Sequence, residues 1–567
     1  MSERAHPETK THTNTVLTGD QRTSLNFFKS DQIFQALFKQ LPDIGKNFIA
    51  DKLSVLGAAA AGKMNQLSLD ADKNGPELIK RNALGDNIDE IKFHPAYWEL
   101  MKIAVNSGMF RVKWEPDNRK QFSATRNTMG FLSGFLYSMS EMGQYCPLCM
   151  TDGAARLIDI HCDPQDRDRL MKHIYTDSVD DLKTGAMFLT EKSGGSDVGA
   201  NIVSAKSIGN GLYHLNGEKW FCSNANADII FVLARTYNEV SGIKGLSIFL
   251  VEKFLDDGSK NPMEIVRLKD KLGVRSMASA ECILTNTIGK LVGNEFEGFN
   301  VMTDMVNLSR IYTAMASLAG SRRAIIEAYQ FLNQRQSFGK PTMEHALVRD
   351  KFREIGSMYV ANFYIVWRTI RALDNAENRD VNAEDLLRIL TPMIKKSVAE
   401  ESVMIARESM ELMGGIGYIE DTVMPKIIRD LMVNPIWEGA GNIMILDMLR
   451  ASKKSKGLEI LYKEITAALK DNPDSASTIS LLDQLYTVIA EFESMSQEEV
   501  ESTAKPVFEQ LTKIYKLAVL SENLTDETKG WVQPAIDFFT EDLLNTPIGK
   551  RSPLTRDEVD ALIAWNY

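Results

Sequence analysis

The chain has 567 residues, of which 44% are hydrophobic and 25% are charged, a composition typical of soluble globular proteins with several domains. Its formal net charge of −11 argues against a protein that coats nucleic acid, and five cysteines are too few for a disulfide framework in so long a chain. The sequence contains no run of 18 apolar residues, so it predicts no membrane span. Residues 1–21 lack the apolar core of a secretory signal, and we expect a cytoplasmic protein.

Residues 1–30 are predicted to form a flexible tail, and residues 31–184 a helical domain. Within that domain, DQIFQALFKQL and PAYWELMKIAV place apolar residues three and four positions apart, which is the helical period. The pattern changes at residues 185–292. There, short β-branched or aromatic runs such as DIIFVLAR and GLSIFLVEKF are broken by Gly, Asn and Asp, which predicts a β-domain.

Long helical periods return after residue 292, notably at 321–336, 343–373 and 383–413. They predict a second helical domain at 293–452, followed by a C-terminal helical extension at 453–567. Thr555 and Glu558 have the spacing of a capping box that opens the last helix. The order helical, β, helical, helical predicts a mainly α protein with a central β-domain, an α+β arrangement, and disfavours an alternating βα Rossmann sheet.

Four separated stretches carry candidate functional residues. They are LTEKSGGSDVGAN (189–201), GEKWFCSNANAD (217–228), NQRQSFGKP (333–341), and ELMGGIGY (411–418) with the following RDLMVNPIWEGAGNIMILDMLR (429–450). Each stretch alone also fits a structural interpretation: a surface turn, a strand with core aromatics, or a helix end. Their order and separation together carry more information than any one of them.

In that order, the stretches resemble the acyl-CoA dehydrogenase superfamily from about residue 80 to residue 452. LGDNIDEIKFHPAYWELM, LKDKLGVRSMAS and VNPIWEGAGNIM resemble its AidB-like branch most closely. The resemblance implies a helical domain, a β-barrel-like domain and a four-helix-bundle-type domain, to which this chain adds the C-terminal extension. It also implies FAD bound between the β-domain and the second helical domain, in a homo-oligomer that we expect to be a tetramer.

The resemblance assigns the FAD contacts residue by residue. Leu189 and Thr190 match positions at the flavin's pyrimidine edge, and Arg335 and Phe338 match an R-x-x-F-G turn that reaches the FAD of a neighbouring subunit. A guanidinium suits a diphosphate because it offers parallel donors. The full set of matching positions is Leu189, Thr190, Ser196, Phe221, Ser223, Arg335, Phe338, Gly414, Gly415 and Asn442. Glu411 departs from the family, which usually has Gln three residues before the Gly pair.

Glu438, in the segment PIWEG, is the predicted catalytic base. Desaturation of an acyl thioester requires removal of a proton from Cα, and an apolar setting raises the pKa of a carboxylate toward that of an effective base. Without the resemblance, Glu438 also fits a glutamate that interacts with the dipole of the following helix. Gly439 permits the tight turn, and Arg310 and Asn307 match a substrate-binding face of a family helix.

Cys146 and Cys149 form a C-x-x-C pair, but we predict no metal site. Zinc needs four ligands, and a second pair at standard spacing is absent from the sequence. A thioredoxin-like role needs a βαβ context that this helical region lacks. Buried structural cysteines near the flavin pocket are the favoured interpretation.

Three functions remain open from the sequence. The first is an FAD-dependent acyl-CoA dehydrogenase that passes electrons to an external acceptor such as an electron-transfer flavoprotein, with an oxidase as a close variant. The second is an AidB-like alkylation-damage protein that binds nucleic acid. Residues 452–567 hold 12 Lys and Arg against 20 Asp and Glu, a net charge of −8, which argues against that role. The third is a non-catalytic acyl-CoA binder.

Overall fold

The computed structural model describes residues 25–237, 239–470, 475–544 and 554–566. Along the described chain, helices precede and follow a central β-domain, which confirms the predicted mainly α fold. The N-terminal part contains α1 (Phe27–Ser30), α2 (Gln32–Lys39), α3 (Asp43–Ala61), α4 (Lys63–Lys73), β1 (Glu77–Arg81), β2 (Asn87–Lys92), α5 (Pro95–Asn106), α6 (Arg111–Trp114), α7 (Pro116–Gln121), α8 (Arg126–Ser138), α9 (Tyr145–His161) and α10 (Pro164–Ile174).

The predicted tail is wrong at its C-terminal end. Helix α1 is capped by the Asn26 side chain, which accepts hydrogen bonds from the N–H groups of Phe28 and Lys29. Phe27 and Phe28 are buried in the main core. Two aromatic side chains in this position anchor the segment, so folded structure begins before residue 31. Residues 1–24 lie outside the described part of the chain.

The hairpin of β1 and β2 was not predicted within the helical domain. Its strands pair antiparallel, and the Asn82 side chain accepts hydrogen bonds from the N–H groups of Leu84 and Asp86, both at 2.9 Å. Gly85 adopts φ of 91° in the loop. The strands are short and mostly polar, so their apolar alternation is too weak to be recognised from sequence.

The β-domain is a closed sheet. Its strands are β3 (Gly185–Phe188), β4 (Ser204–Gly209), β5 (Leu212–Ser223), β6 (Ile229–Arg235), β7 (Leu246–Glu252), β8 (Met263–Leu268) and β9 (Ser279–Leu291). They pair in the order β3-β6-β4-β5-β9-β7, and β7 also pairs with β6, so the sheet closes on itself. A separate apolar cluster fills its interior.

Long helices dominate the remaining chain. The helices of this part are α11 (Gly298–Gln334), α12 (Ala346–Glu377), α13 (Val381–Met413), α14 (Gly415–Tyr418), α15 (Met424–Leu431), α16 (Gly441–Lys454), α17 (Gly457–Leu469), α18 (Ala476–Glu491), α19 (Gln497–Glu522), α20 (Lys529–Leu543) and α21 (Arg556–Ile563). A small hairpin of β10 (Gln336–Ser337) and β11 (Lys340–Pro341) lies between α11 and α12. The predicted capping box of Thr555 and Glu558 is present at α21. Among the described residues, no helix is both long and apolar enough to cross a membrane.

A buried ion pair joins the two ends of the described chain. The Arg322 guanidinium donates to both carboxylate oxygens of Asp31, at 2.8 and 2.9 Å, and to the carbonyl oxygens of Ile563 and Ala564. Both charged side chains are essentially excluded from water. The middle of α11 therefore holds the start of α2 and the end of α21 together.

Asp31→Asn should lower the free energy of unfolding by about 3 kcal/mol, because it leaves the Arg322 charge buried without its partner. Chemical denaturation of both proteins measures the difference. Glu527→Gln is the matched control: Glu527 pairs with Lys39, but both side chains are more than half exposed. Equal stability of Asp31→Asn and the wild type would contradict the importance of this contact.

Candidate functional site

Glu438 lies in a strained turn between α15 and α16. Its φ is 56°, in the left-handed region that residues with a Cβ rarely adopt. Gly439 follows with φ of 100°, and a Cβ added there would lie 2.6 Å from the Met444 methyl group. The conformation at 439 therefore favours glycine, and a larger residue would also require the Met444 side chain to move. Such strained residues cluster at functional sites.

Three side chains from two helices hold this turn. The Ser309 hydroxyl of α11 donates to Oε2 of Glu438 at 2.5 Å, and Nε of Arg310 donates to the Glu438 carbonyl oxygen at 3.2 Å. Nζ of Lys395, from α13, donates to the carbonyl oxygens of Pro435, at 3.2 Å, and of Gly439. The side chain and the backbone of Glu438 are therefore both fixed by the helices beneath.

Burial raises the pKa of the Glu438 carboxyl above its ordinary value. The hydrogen bond from Ser309 and the nearby charges of Arg310 and Lys395 lower the pKa, but they offset the burial only in part. A carboxylate whose pKa is raised by an apolar setting is a stronger base than one in water.

Glu438 borders a narrow cavity between α9 and α11. Its walls are mainly apolar and sulfur-containing, and they are formed by Met142, Tyr145, Cys146, Cys149, Met150, Tyr312, Thr313, Ala316, Trp437 and Glu438. Glu438 is the one charged residue in this lining, so an apolar group that enters the cavity meets a single carboxylate.

Next to the cavity, buried polar groups of neighbouring helices form hydrogen bonds with one another. Asp152 accepts hydrogen bonds from Lys113, from Nε1 of Trp114 at 2.5 Å and from the Tyr312 hydroxyl at 2.9 Å. These bonds fix the Tyr312 ring, which is one wall of the cavity. Further along α11, a Cβ added to Gly320 would lie 2.7 Å from Leu431, so the helices are in close contact there.

Cys146 and Cys149 are adjacent on one face of α9 and line the cavity. Burial raises the pKa of Cys146 to about 12 and the pKa of Cys149 well above its ordinary value. Both thiols are therefore neutral and poorly nucleophilic. Among the described residues, no group of three or more His, Cys, Asp or Glu side chains is placed to hold a metal ion.

A second group of predicted residues lies on the β-domain. The Leu189 carbonyl oxygen accepts hydrogen bonds from the Asn201 amide at 2.7 Å and from Nζ of Lys219 at 3.2 Å. Lys219 also forms a fully buried ion pair with Glu191 at 2.8 Å. The Thr190 carbonyl oxygen accepts a hydrogen bond from the backbone N–H of Trp220. The loop that begins at Leu189 is thus tied firmly to β5.

The other predicted β-domain residues lie around this loop. Ser196 is exposed, and the Phe221 side chain is 53% exposed although it is aromatic. Ser223 ends β5, where it pairs with Ser279 of β9. An exposed aromatic beside a rigid polar loop is a surface that a planar ligand can cover.

The remaining predicted residues are exposed on the surface of the chain. Phe338 is 98% exposed with φ of 50° in the loop between β10 and β11, and the Arg335 guanidinium lies 5.5 Å from the centre of its own chain's Phe331 ring. Gly414 and Gly415 are exposed at the start of α14, and Asn442 is exposed in the first turn of α16.

The substrate-binding roles of Arg310 and Asn307 stay predictions: Arg310 contacts the turn from α11, and Asn307 also borders a second cavity lined by residues of α11 and α13. Nη1 of Arg310 donates to Asp447 at 2.7 Å and to the Asn307 side chain at 3.0 Å, while Nε contacts the Glu438 carbonyl. Arg388 also pairs with Asp447. The guanidinium therefore already contacts protein groups beneath the turn.

Sequence reasoning did not find Ser309, Lys395 or Asp447. Ser309 directly precedes Arg310, so its position beside the motif was a usable signal. Lys395 and Asp447 reach the turn only through the packing of α13 and α16 against α11, and no sequence spacing reports that contact.

The chain belongs to the acyl-CoA dehydrogenase family. Residues 186–287 match the family's middle domain, residues 297–453 match its C-terminal domain, and residues 19–181 match the N-terminal domain of the adaptive response protein AidB. These matches confirm the resemblance to the AidB-like branch.

Several relatives share most of this architecture. AidB of Escherichia coli (strain K12) is 33% identical over 456 residues, covering 78% of this chain and 81% of AidB. Acyl-CoA dehydrogenase family member 11 of Caenorhabditis elegans is 29% identical, covering 89% of this chain and 85% of its own. The structure of C. elegans ACDH-11 in complex with C11-CoA superposes with a TM-score of 0.87 at 26% identity, covering 97% of this chain and 95% of that chain.

Cys146 and Cys149 should react slowly with iodoacetamide at pH 8 in the native protein. Because their raised pKa values leave almost no thiolate, we expect alkylation of both at least about 100-fold slower than in guanidinium, which exposes them to water. Mass spectrometry of timed samples measures the modification. Rapid labelling of Cys146 or Cys149 in the folded protein would show that the pair is reactive.

Proposed function

We propose that this protein is an FAD-dependent dehydrogenase that introduces an α,β double bond into an acyl-CoA thioester. The observation that carries the proposal is the Glu438 carboxylate, whose pKa is raised by burial, held at one wall of an apolar cavity. That arrangement suits removal of a proton next to a carbonyl group, and the family of the chain supports this chemistry.

In the proposed reaction, Glu438 removes a proton from Cα of the thioester while a hydride leaves Cβ. When bound, FAD supplies the acceptor for that hydride. The Cα proton becomes acidic only if the carbonyl oxygen accepts hydrogen bonds. The backbone N–H of Glu438 has no acceptor among the described residues, so it is available as one such donor.

The residues of the chain fit an FAD site. The rigid loop at Leu189 and Thr190 would hold the flavin's polar edge, and the exposed ring of Phe221 would pack against it. A Cβ placed on Gly414 or Gly415 would meet no atom within 4 Å, so this backbone is open to a closely approaching ligand. The structure of a Bacillus anthracis acyl-CoA dehydrogenase with FAD shares the fold at 16% identity, with a TM-score of 0.66 over 93% of this chain and 95% of that chain.

The proposed substrate is an acyl-CoA with an apolar acyl group. The cavity beside Glu438 offers aromatic, sulfur and methyl surfaces to the chain. The C11-CoA named in the ACDH-11 structure supports an acyl-CoA ligand for this similar chain. We propose an electron-transfer flavoprotein as the external acceptor.

We further propose that the chain assembles as a homotetramer. Phe338 is almost fully exposed and Arg335 is exposed beside it, as expected for a turn that completes the FAD site of a neighbour. Light scattering of the purified protein tests this assembly. A monomer with full FAD occupancy would contradict the proposed roles of Arg335 and Phe338.

Glu438→Gln should reduce flavin bleaching by acyl-CoA by about 10²–10⁴-fold, because the amide cannot accept the proton. An anaerobic stopped-flow experiment with a panel of acyl-CoA chain lengths measures the rate. The chain length that bleaches the flavin of the wild type identifies the substrate. Gln keeps the size of the side chain, so FAD content is the control for folding. Normal turnover by Glu438→Gln would exclude Glu438 as the base.

Lys219→Met should lower the FAD content of the purified protein. It leaves Glu191 buried without its partner and removes one donor from the Leu189 carbonyl, so the flavin loop loses its support. Lys192→Met is the control on the same loop, because Lys192 pairs with Glu218 at an exposed position. Equal FAD content in both variants would exclude a role of the buried pair in flavin binding.

Ala316→Phe should shorten the acyl chain that the protein accepts. Ala316 lines the cavity on α11 two turns beyond Ser309, so a larger side chain obstructs long chains first. We expect the ratio of dodecanoyl-CoA to butyryl-CoA turnover to fall at least about tenfold, which corresponds to about 1.4 kcal/mol. Butyryl-CoA turnover in the same variant is the internal control. An unchanged ratio would place the acyl chain elsewhere.

A further inference from the structure

Lys395 is a fully buried cation that forms no ion pair with a carboxylate of the described residues. Its side chain is excluded from water, and its hydrogen bonds among the described residues go to two carbonyl oxygens, those of Pro435 and Gly439. These two carbonyls lie on either side of Glu438. A buried ammonium that binds only carbonyl groups is costly, so a chain that keeps one uses it for geometry or for function.

The charged groups that face Lys395 come from three elements. Glu438 on the turn and Glu400 on α13 raise its pKa, whereas Arg310 on α11 lowers it. Burial is the largest effect, and it lowers the pKa of Lys395 to about 8. The ammonium is therefore charged at neutral pH and loses its proton a little above it.

The next residue on the same helix provides a direct contrast. Lys396 is also nearly buried, but it pairs with Glu400 at 2.7 Å and with Glu509 of α19 at 2.8 Å. Its contacts hold the C-terminal extension and do not involve the turn. Substituting each lysine in turn therefore distinguishes an effect on stability from an effect on the turn around Glu438.

We propose that Lys395 is a positioning residue for Glu438: its ammonium binds the carbonyl oxygens on both sides of Glu438, keeps that residue in its left-handed conformation and places a positive charge beside the carboxylate. This inference rests on the proposed role of Glu438 as the base. It does not make Lys395 a catalytic residue, because Lys395 acts only through the turn.

The conformational part of the proposal is tested without activity. Hydrogen–deuterium exchange of the peptide covering residues 432–440 should be at least about tenfold faster in Lys395→Met than in the wild type, because the turn loses two hydrogen bonds. Lys396→Met should leave this exchange unchanged, whatever its melting temperature. Wild-type exchange in Lys395→Met would overturn the proposal even if the proposed function itself failed.

The electrostatic part is tested with the holoenzyme and its best acyl-CoA substrate. In Lys395→Met, kcat should fall at least about tenfold with a smaller change in KM, and the acidic limb of the kcat/KM profile should move to higher pH, because the carboxylate has lost a nearby positive charge. An unshifted profile with wild-type kcat would overturn the proposal. A wild type that no acyl-CoA reduces would instead contradict the proposed function.

A variant that keeps the charge covers the case in which Lys395→Met does not fold. The guanidinium of Lys395→Arg stays charged at every relevant pH. We expect the wild type to lose activity as Lys395 deprotonates, since burial lowers the pKa of that lysine to about 8. Lys395→Arg should retain most of kcat and should shift this alkaline limb to higher pH. An alkaline limb that stays in place in Lys395→Arg would overturn the assignment to Lys395.

Discussion

The turn around Glu438 depends on hydrogen bonds from cations beneath it. A left-handed conformation at a residue with a Cβ costs about 1–3 kcal/mol, and Glu438 adopts one. A hydrogen bond that involves a charged group contributes about 1.5–3 kcal/mol, and the turn receives three such bonds from Arg310 and Lys395. The support is therefore sufficient to hold a carboxylate in a conformation that an isolated peptide would avoid.

Helix α11 links this support to the rest of the fold. Its first half supplies Ser309 and Arg310 to the turn and, within the next two helical turns, Tyr312 and Ala316 to the cavity. Its second half reaches the termini through Arg322. Because one helix carries all these contacts, one wall of the cavity and the position of Glu438 are set by the same element.

Buried charges also join the three domains near the cavity. Glu141, before α9, accepts hydrogen bonds from Ser276 of the β-domain and lies 3.3 Å from Lys426 of α15. Lys426 pairs with Asp430, whose carboxylate accepts a hydrogen bond from the backbone N–H of Val274. Such networks are weak sources of stability but strong constraints on geometry, because any relative movement of the domains leaves a charge unpaired.

The sequence predicted local features well and long-range contacts poorly. The order of helical and β segments and the capping box at Thr555 follow from periods and spacings within one segment. The apolar surroundings of Glu438 were also visible in PIWEG. Lys395 was not, because it is 44 residues from Gly439 and reaches the turn only after helix packing. Arg310 was found, but its contact with Asp447 depends on the same packing.

Acidic residues of the C-terminal extension form ion pairs with the rest of the protein. Several of them pair with cations of the other domains: Glu464 with Arg368, Glu509 with Lys396, Glu541 with Arg353, and Glu527 with Lys39. Trp531 adds a hydrogen bond to Tyr364 of α12 at 3.0 Å. The extension therefore packs as an integral layer on the second helical domain.

This packing bears on the nucleic-acid hypothesis. A polyanion approaching the extension would meet its net charge of −8, and to bind the cations it would have to displace carboxylates that already neutralise them. The charge distribution favours contacts within the protein over contacts with phosphate. The extension covers α12 and α13: it holds Lys396 on α13, and the neighbouring Lys395 holds the turn that contains Glu438.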